Sequence, residues 1–189
     1  MKTKLKDIGI LGSGAWGTAL ACILNNKTNI SLWTYEKETA RQINKHKNNK
    51  TYLPGIKIPN NVRATNNLEE LKRCKFIFIC IPSQFIKKII LEFKKFYKKE
   101  MILVVCSKGI EKNSKDLISE VIKKIIPKSK TAVLSGPSFA IEVAKKKPTA
   151  VTIASKNNNN AKELAKLVNS KTFRCYYTND IIGVQLGGV

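Results

Sequence analysis

Residues 6–17 read KDIGILGSGAWG, a short apolar run that ends on glycines at 12, 14 and 17. This G-x-G-x-x-G spacing restricts the chain more than any other stretch. Directly behind it, Ala15, Trp16, Ala19, Leu20 and Ile23 follow a helical stripe, so the glycines join a buried strand to an amphipathic helix. In such a unit Gly12 permits the tight turn, and Gly14 lets a pyrophosphate approach the backbone. Gly17 lets the helix pack closely on the strand. The first turn of the helix then presents free N–H groups and a positive dipole end to the phosphates. A glycine turn with a purely architectural role uses the same residues. The flanking strand and helix favour a dinucleotide site.

The rest of the chain repeats the alternation. Strand-length apolar runs lie at 6–11, 29–34, 75–80, 101–106, 130–134 and 149–154. Helical patterns lie at 15–25, 36–46, 84–97, 114–126 and 159–169. Apolar strands with no polar face predict a sheet covered on both sides, and the alternation predicts parallel pairing. The expected architecture is one doubly wound α/β domain with a mostly parallel sheet. A Pro/Gly-rich connection at 48–66, containing YLPGIKIPNN, interrupts the rhythm. Near the end, Asp180 is placed to cap a helix whose apolar body is Ile181, Ile182, Val184 and Leu186.

Composition excludes several functions. The formal net charge is +22, but lysine supplies 31 of the 35 basic residues, dispersed among 17 asparagines and 23 isoleucines. That excess is what an A/T-biased coding sequence gives, whereas a reader of phosphates or bases clusters its charge and favours arginine forks. Specific nucleic-acid binding is not expected; attraction of small anions is. The NNNN run at 157–160 reads as a lengthened surface turn. The apolar run FIFICI at 76–81 is too short to span a bilayer, and the start MKTKLKDIGILGSG lacks the apolar stretch of a signal peptide. No membrane partner is expected. Five cysteines, at 22, 74, 80, 106 and 175, show no C-x-x-C pair, which points to a reducing cytoplasm and no metal site.

Candidate ligand groups gather where strands end. Glu36, in WTYEKE, lies 22 residues after Gly14, near the place where an acid holds the ribose 2′-hydroxyl of NAD. Alternatively it only opens the next helix, where a carboxylate is also favourable. Tyr35 can flank an adenine, and Lys37 with Arg41 leaves NADP open. The loops IPSQ (81–84), SKGI (107–110) and SGPSFA (135–140) follow three more strands. Lys108 stands between a buried strand end and a glycine, and SGPSFA offers small residues and backbone N–H groups to an anion.

Taken in order, GSGAWGTALA, YLPG, IPSQ, SKGI, LSGPSFAIEV and DIIGVQLGG resemble NAD(P)-dependent glycerol-3-phosphate dehydrogenase, from about residue 6 to the last residue. The resemblance implies a Rossmann-type fold and the reduction of dihydroxyacetone phosphate to sn-glycerol 3-phosphate by NADH or NADPH, feeding phospholipid synthesis. It implies that Ala15, Trp16 and Tyr35 contact the cofactor, as does Ala140. Lys108 then touches cofactor and substrate, and Gly136 and Ser138 touch substrate. It further implies a proton-transferring lysine two residues beyond Val189 and a helical domain after it. On this expectation 1–179 is the NAD(P)-binding domain and 180–189 begins the helix leading to a C-terminal helical domain that these residues lack. Catalysis and homodimerisation are then expected of a full-length protein only.

Overall fold

In Phe76-Ile77-Phe78-Ile79 every side chain is buried, with the phenylalanines joining one apolar cluster and the isoleucines another. Ile102-Leu103-Val104-Val105 divides in the same way. Alternate side chains of a strand point to opposite faces, so these runs require helices on both sides of the sheet. The computed structural model, which describes residues 7–24 and 28–188, shows this arrangement. Lys6 of the first expected strand, Asn25 of the first expected helix and Val189 lie outside the described residues.

In chain order the elements are β1 (Ile8–Leu11), α1 (Ala15–Ile23), β2 (Ile30–Trp33), α2 (Lys37–His46), β3 (Val62–Thr65) and β4 (Phe76–Ile79). There follow α3 (Ser83–Phe93), β5 (Ile102–Val105), α4 (Ile118–Ile125), β6 (Lys130–Ser135) and α5 (Ala140–Ala144). The remainder is β7 (Thr149–Ala154), α6 (Asn158–Val168), β8 (Phe173–Thr178) and α7 (Ile181–Leu186). One sheet runs β3-β2-β1-β4-β5-β6-β7-β8. Its first six strands are parallel, β6 and β7 are antiparallel, and β7 and β8 are parallel again.

On one face Ala19 and Leu20 of α1, Ile43 of α2 and Leu164 of α6 pack with Phe76, Phe78 and Phe173. On the other, Ile86, Ile90 and Phe93 of α3 and Ile122 of α4 pack with Ile77, Ile79 and Leu103. Fully burying a side chain of this size contributes about 1.5–3 kcal/mol. Order 3-2-1 on one side and 4-5-6 on the other makes β1/β4 the point where the direction of winding changes, which is where open α/β sheets place ligands.

The sheet is mostly parallel as expected; its antiparallel pair arises because the link between β6 and β7 carries only the short α5, which packs against α1 and does not cross the sheet. Four expectations change. The NNNN run at 157–160 is not a turn: Asn157 caps α6, its side chain accepting from the Asn160 N–H at 3.1 Å, and the next three asparagines form the first turn of that helix. Part of the 48–66 connection is a strand, β3, held at the edge by Ile30↔Val62 to Trp33↔Thr65 pairing. A second edge strand, β8, was not anticipated. The helix expected over 114–126 begins only at Ile118, because Lys115 has φ +58° and the Ser114 N–H donates to the Glu111 carboxylate at 2.7 Å. The Asp180 cap is present as expected, its Oδ1 accepting from the Gly183 N–H at 2.8 Å.

Candidate functional site

The three glycines of the first turn do different jobs. Gly12 has φ +110°, and a Cβ there would lie 2.7 Å from the Cys80 carbonyl oxygen. A Cβ on Gly17 would collide with the Gly12 carbonyl. Both glycines are therefore required by the protein itself. Gly14 is not: its φ is −59° and a Cβ would meet nothing within 4 Å among the described residues. The absent side chain keeps open a space beside the first turn of α1, which has no side-chain cap for its N–H groups. That space suits a pyrophosphate.

The turn is held from below. The Thr18 hydroxyl donates to the Ser13 carbonyl at 3.0 Å, and Asn49 Nδ2 donates to the same carbonyl at 2.8 Å and to Thr18 Oγ1 at 2.9 Å. Asn49 is fully buried. On the β5 side, Ser107 Oγ lies 2.6 Å from the Ile81 carbonyl and 3.1 Å from that of Ile79, lashing the end of β5 to the end of β4.

Between these loops opens a cleft of about 740 Å³ at the carboxyl ends of β1, β4, β5 and β6. It brings together Gly12, Gly14, Ala15, Trp16, Tyr35, Glu36, Lys108, Gly136, Ser138 and Ala140. Gly17 alone of the expected site residues stays out of the lining, beneath the turn. Tyr35 presents an exposed ring, edge-on to Trp33 with centroids 6.4 Å apart and with Lys88 Nζ 5.9 Å from its centroid. The exposed Lys108 follows Ser107, and no described carboxylate pairs with its ammonium. Gly136 must be glycine for the sheet's sake, since a Cβ would lie 2.9 Å from the backbone of Ala150 and Val151. Ser138 Oγ donates to the Gly136 carbonyl at 3.3 Å, closing the SGPS turn.

Glu36 stands at the N-cap position of α2 but makes no capping bond with its side chain. Its carboxylate instead accepts from Tyr52 Oη at 3.0 Å and from Thr34 Oγ1 at 3.1 Å. The carboxylate in turn holds the Tyr52 phenol above its usual pKa, first by that hydrogen bond and then by its charge. Sequence reasoning gave no role to Tyr52, Asn49, Phe85 or Phe139. Tyr52, Phe85 and Phe139 line the cleft; Tyr52 and Phe139 fall within YLPG and SGPSFA and Phe85 directly follows IPSQ, whereas no sequence signal marks Asn49.

A glycine turn at the switch point of a 3-2-1-4-5-6 sheet, opening on such a cleft, defines a Rossmann-type dinucleotide-binding protein. Residues 7–161 match the model of the NAD-dependent glycerol-3-phosphate dehydrogenase N-terminus, and the chain belongs to that family. It is 35% identical over 98% of its length to the glycerol-3-phosphate dehydrogenase [NAD(P)+] of Maricaulis maris and 38% identical over 100% to that of Hyphomonas neptunium. It spans about half, 56%, of each of these relatives. The crystal structure of a glycerol-3-phosphate dehydrogenase from Coxiella burnetii superposes with a TM-score of 0.92 at 35% identity, over 97% of this chain and 57% of that one. Among the described residues no helix is long and apolar enough to cross a membrane.

Proposed function

We propose that these residues bind NAD(H) across the cleft and hold dihydroxyacetone phosphate beside it, as the cofactor-binding part of a glycerol-3-phosphate dehydrogenase. The observation that carries this reading is the convergence of the Gly12–Trp16 turn, Lys108 and Gly136–Ala140 on one cleft. Gly14 and the free N–H groups of α1 would hold the pyrophosphate, and Tyr35 and Phe85 would flank the adenosine end. Glu36 accepts from the ribose hydroxyls. The bound nicotinamide supplies a hydride to the substrate carbonyl. Lys108 draws the phosphorylated substrate in and stabilises negative charge as it develops on the ketone oxygen. Gly136 and Ser138 position the substrate from the opposite wall, with Trp16 and Ala140 closing on the cofactor.

An alkoxide formed in this way needs a proton, and a positioned acid contributes about 10²–10⁴-fold. We place that acid outside these 189 residues, with the surface that would shut water out of the substrate end. The expected outcome is cofactor binding without appreciable turnover. NADH oxidation with dihydroxyacetone phosphate is measured on this chain and on the same residues joined to the C-terminal half of the Hyphomonas neptunium relative. The joined protein should be faster by at least about 10²-fold. Equal rates would contradict the assignment and leave Lys108 as the proton source.

A further inference from the structure

Glu36 is exposed, and an unrestrained glutamate at that place would sweep through several rotamers. Here two hydrogen bonds favour one rotamer, Tyr52 Oη donating to one carboxylate oxygen and Thr34 Oγ1 to the other. The donors differ in origin. Thr34 directly follows β2, whereas Tyr52 comes from the connection between α2 and β3. That connection is anchored: the Tyr52 N–H donates to Asn49 Oδ1 at 3.2 Å and the Leu53 N–H to the Asn49 carbonyl at 2.9 Å. Leu53 is buried, and Asn49 itself is tied to the glycine turn through Ser13 and Thr18. The phenol is thus presented from a loop fixed to the phosphate-binding turn.

An ionised carboxylate offers roughly four lone-pair sites, of which Tyr52 and Thr34 use two. The remaining pair matches the two O–H donors of a ribose cis-diol. A ribose 2′-phosphate offers no donor there and brings roughly two negative charges. A mobile Glu36 could turn away from such a phosphate and leave it to nearby cations. Arg41, whose present partner Glu38 is exposed at 3.4 Å, and Lys37 stand on the same helix. A Glu36 held by both donors yields less readily, since turning away costs it both hydrogen bonds. We propose that Tyr52 is a positioning residue that sets the preference for NAD(H) over NADP(H) by restraining Glu36. This rests on the reading that Glu36 faces the adenosine ribose.

The test measures Kd for NADH and for NADPH, by fluorescence titration, on wild type, Y52F, E36Q and the double variant, with melting curves to verify folding. Tyr52 is partly exposed and Y52F keeps the ring, so the fold is retained. Wild type should favour NADH, and Y52F should lower the NADH-to-NADPH affinity ratio by about three- to tenfold. General loosening of the loop would weaken both ligands alike and leave the ratio unmoved. E36Q should bring the ratio near unity, and Y52F should add nothing in that background. A Y52F ratio equal to wild type, with E36Q still collapsing it, overturns the role of Tyr52 and leaves Glu36 as an unaided discriminator. A Y52F effect that persists undiminished in E36Q overturns it as well. A wild type that favours NADPH, or a ratio indifferent to E36Q, overturns the underlying placement of Glu36.

Discussion

At the scale of single residues, the glycine turn shows what spacing alone can and cannot convey. The pattern 12-14-17 was legible, as was the reason for each glycine, yet only the surroundings separate Gly12 and Gly17, which the protein needs, from Gly14, which it does not. Glu36 shows the converse. Its two sequence readings were evenly placed, and the structure leaves it at the head of α2 while turning its carboxylate to Tyr52, a partner 16 residues away. No local pattern announces such a contact. The cysteines give a residue-scale prediction. Burial pushes the Cys22 and Cys74 thiols up to about 11, the Cys175 thiol to about 12, and raises Cys106 well above its usual value. A thiol at about 11 is roughly 0.1% thiolate at pH 8, and the thiolate is the nucleophile. Cys80 is only partly buried and lines the cleft. With an aromatic disulfide reagent at pH 8 one thiol, Cys80, should react first, C80S should remove that phase, and saturating NADH should slow it by about tenfold. Several thiols reacting together, or no protection by NADH, would contradict this arrangement.

At the scale of elements, six strands and the main helices follow from apolar runs and helical stripes, because both faces of the central sheet are covered. The edges obey a different rule. β3 has one exposed side chain, Arg63, in four residues and sits in a stretch dominated by Pro and Gly signals. β8 alternates buried Phe173 and Cys175 with exposed Arg174 and Tyr176, a half-covered strand, whereas β1, β2, β4 and β5 are buried throughout. Its period-two signal was present but competed with a strong expectation of continuous apolar runs. The last helix was foreseen from its cap, but its attachment was not. Gln185 is buried, its Oε1 accepting from the Ser119 N–H at 3.0 Å and its Nε2 donating to Ser119 Oγ at 2.8 Å, which latches α7 to α4. Replacing it by leucine strands the Ser119 groups in the interior, at a cost of about 1–3 kcal/mol. The expected outcome for Gln185→Leu is a melting temperature lower by about 3–10 °C with NADH affinity retained. An unchanged melting temperature would show that the latch carries no load, and lost NADH binding would show that α7 shapes the cofactor end of the cleft.

At the scale of the whole molecule, the fold class was legible because alternation of strand and helix, once a glycine turn fixes the first unit, leaves few topologies. The antiparallel entry of β7 was not, since it depends on α5 packing against α1. The architecture concentrates function at one end of the sheet. Ten of the expected site residues meet there, although they come from loops spread over residues 12 to 140. The cofactor site depends on the space beside Gly14, which no atom of the described residues fills. Gly14→Val puts a branched side chain into that space alone, without touching the positive-φ turn at Gly12 or the contact at Gly17. Wild type and variant are titrated with NADH by fluorescence, alongside thermal melting. The expected result is closely similar melting curves and a loss of NADH affinity of at least about 100-fold, or about 2.7 kcal/mol. A folded Gly14→Val chain that binds NADH as wild type does would contradict it.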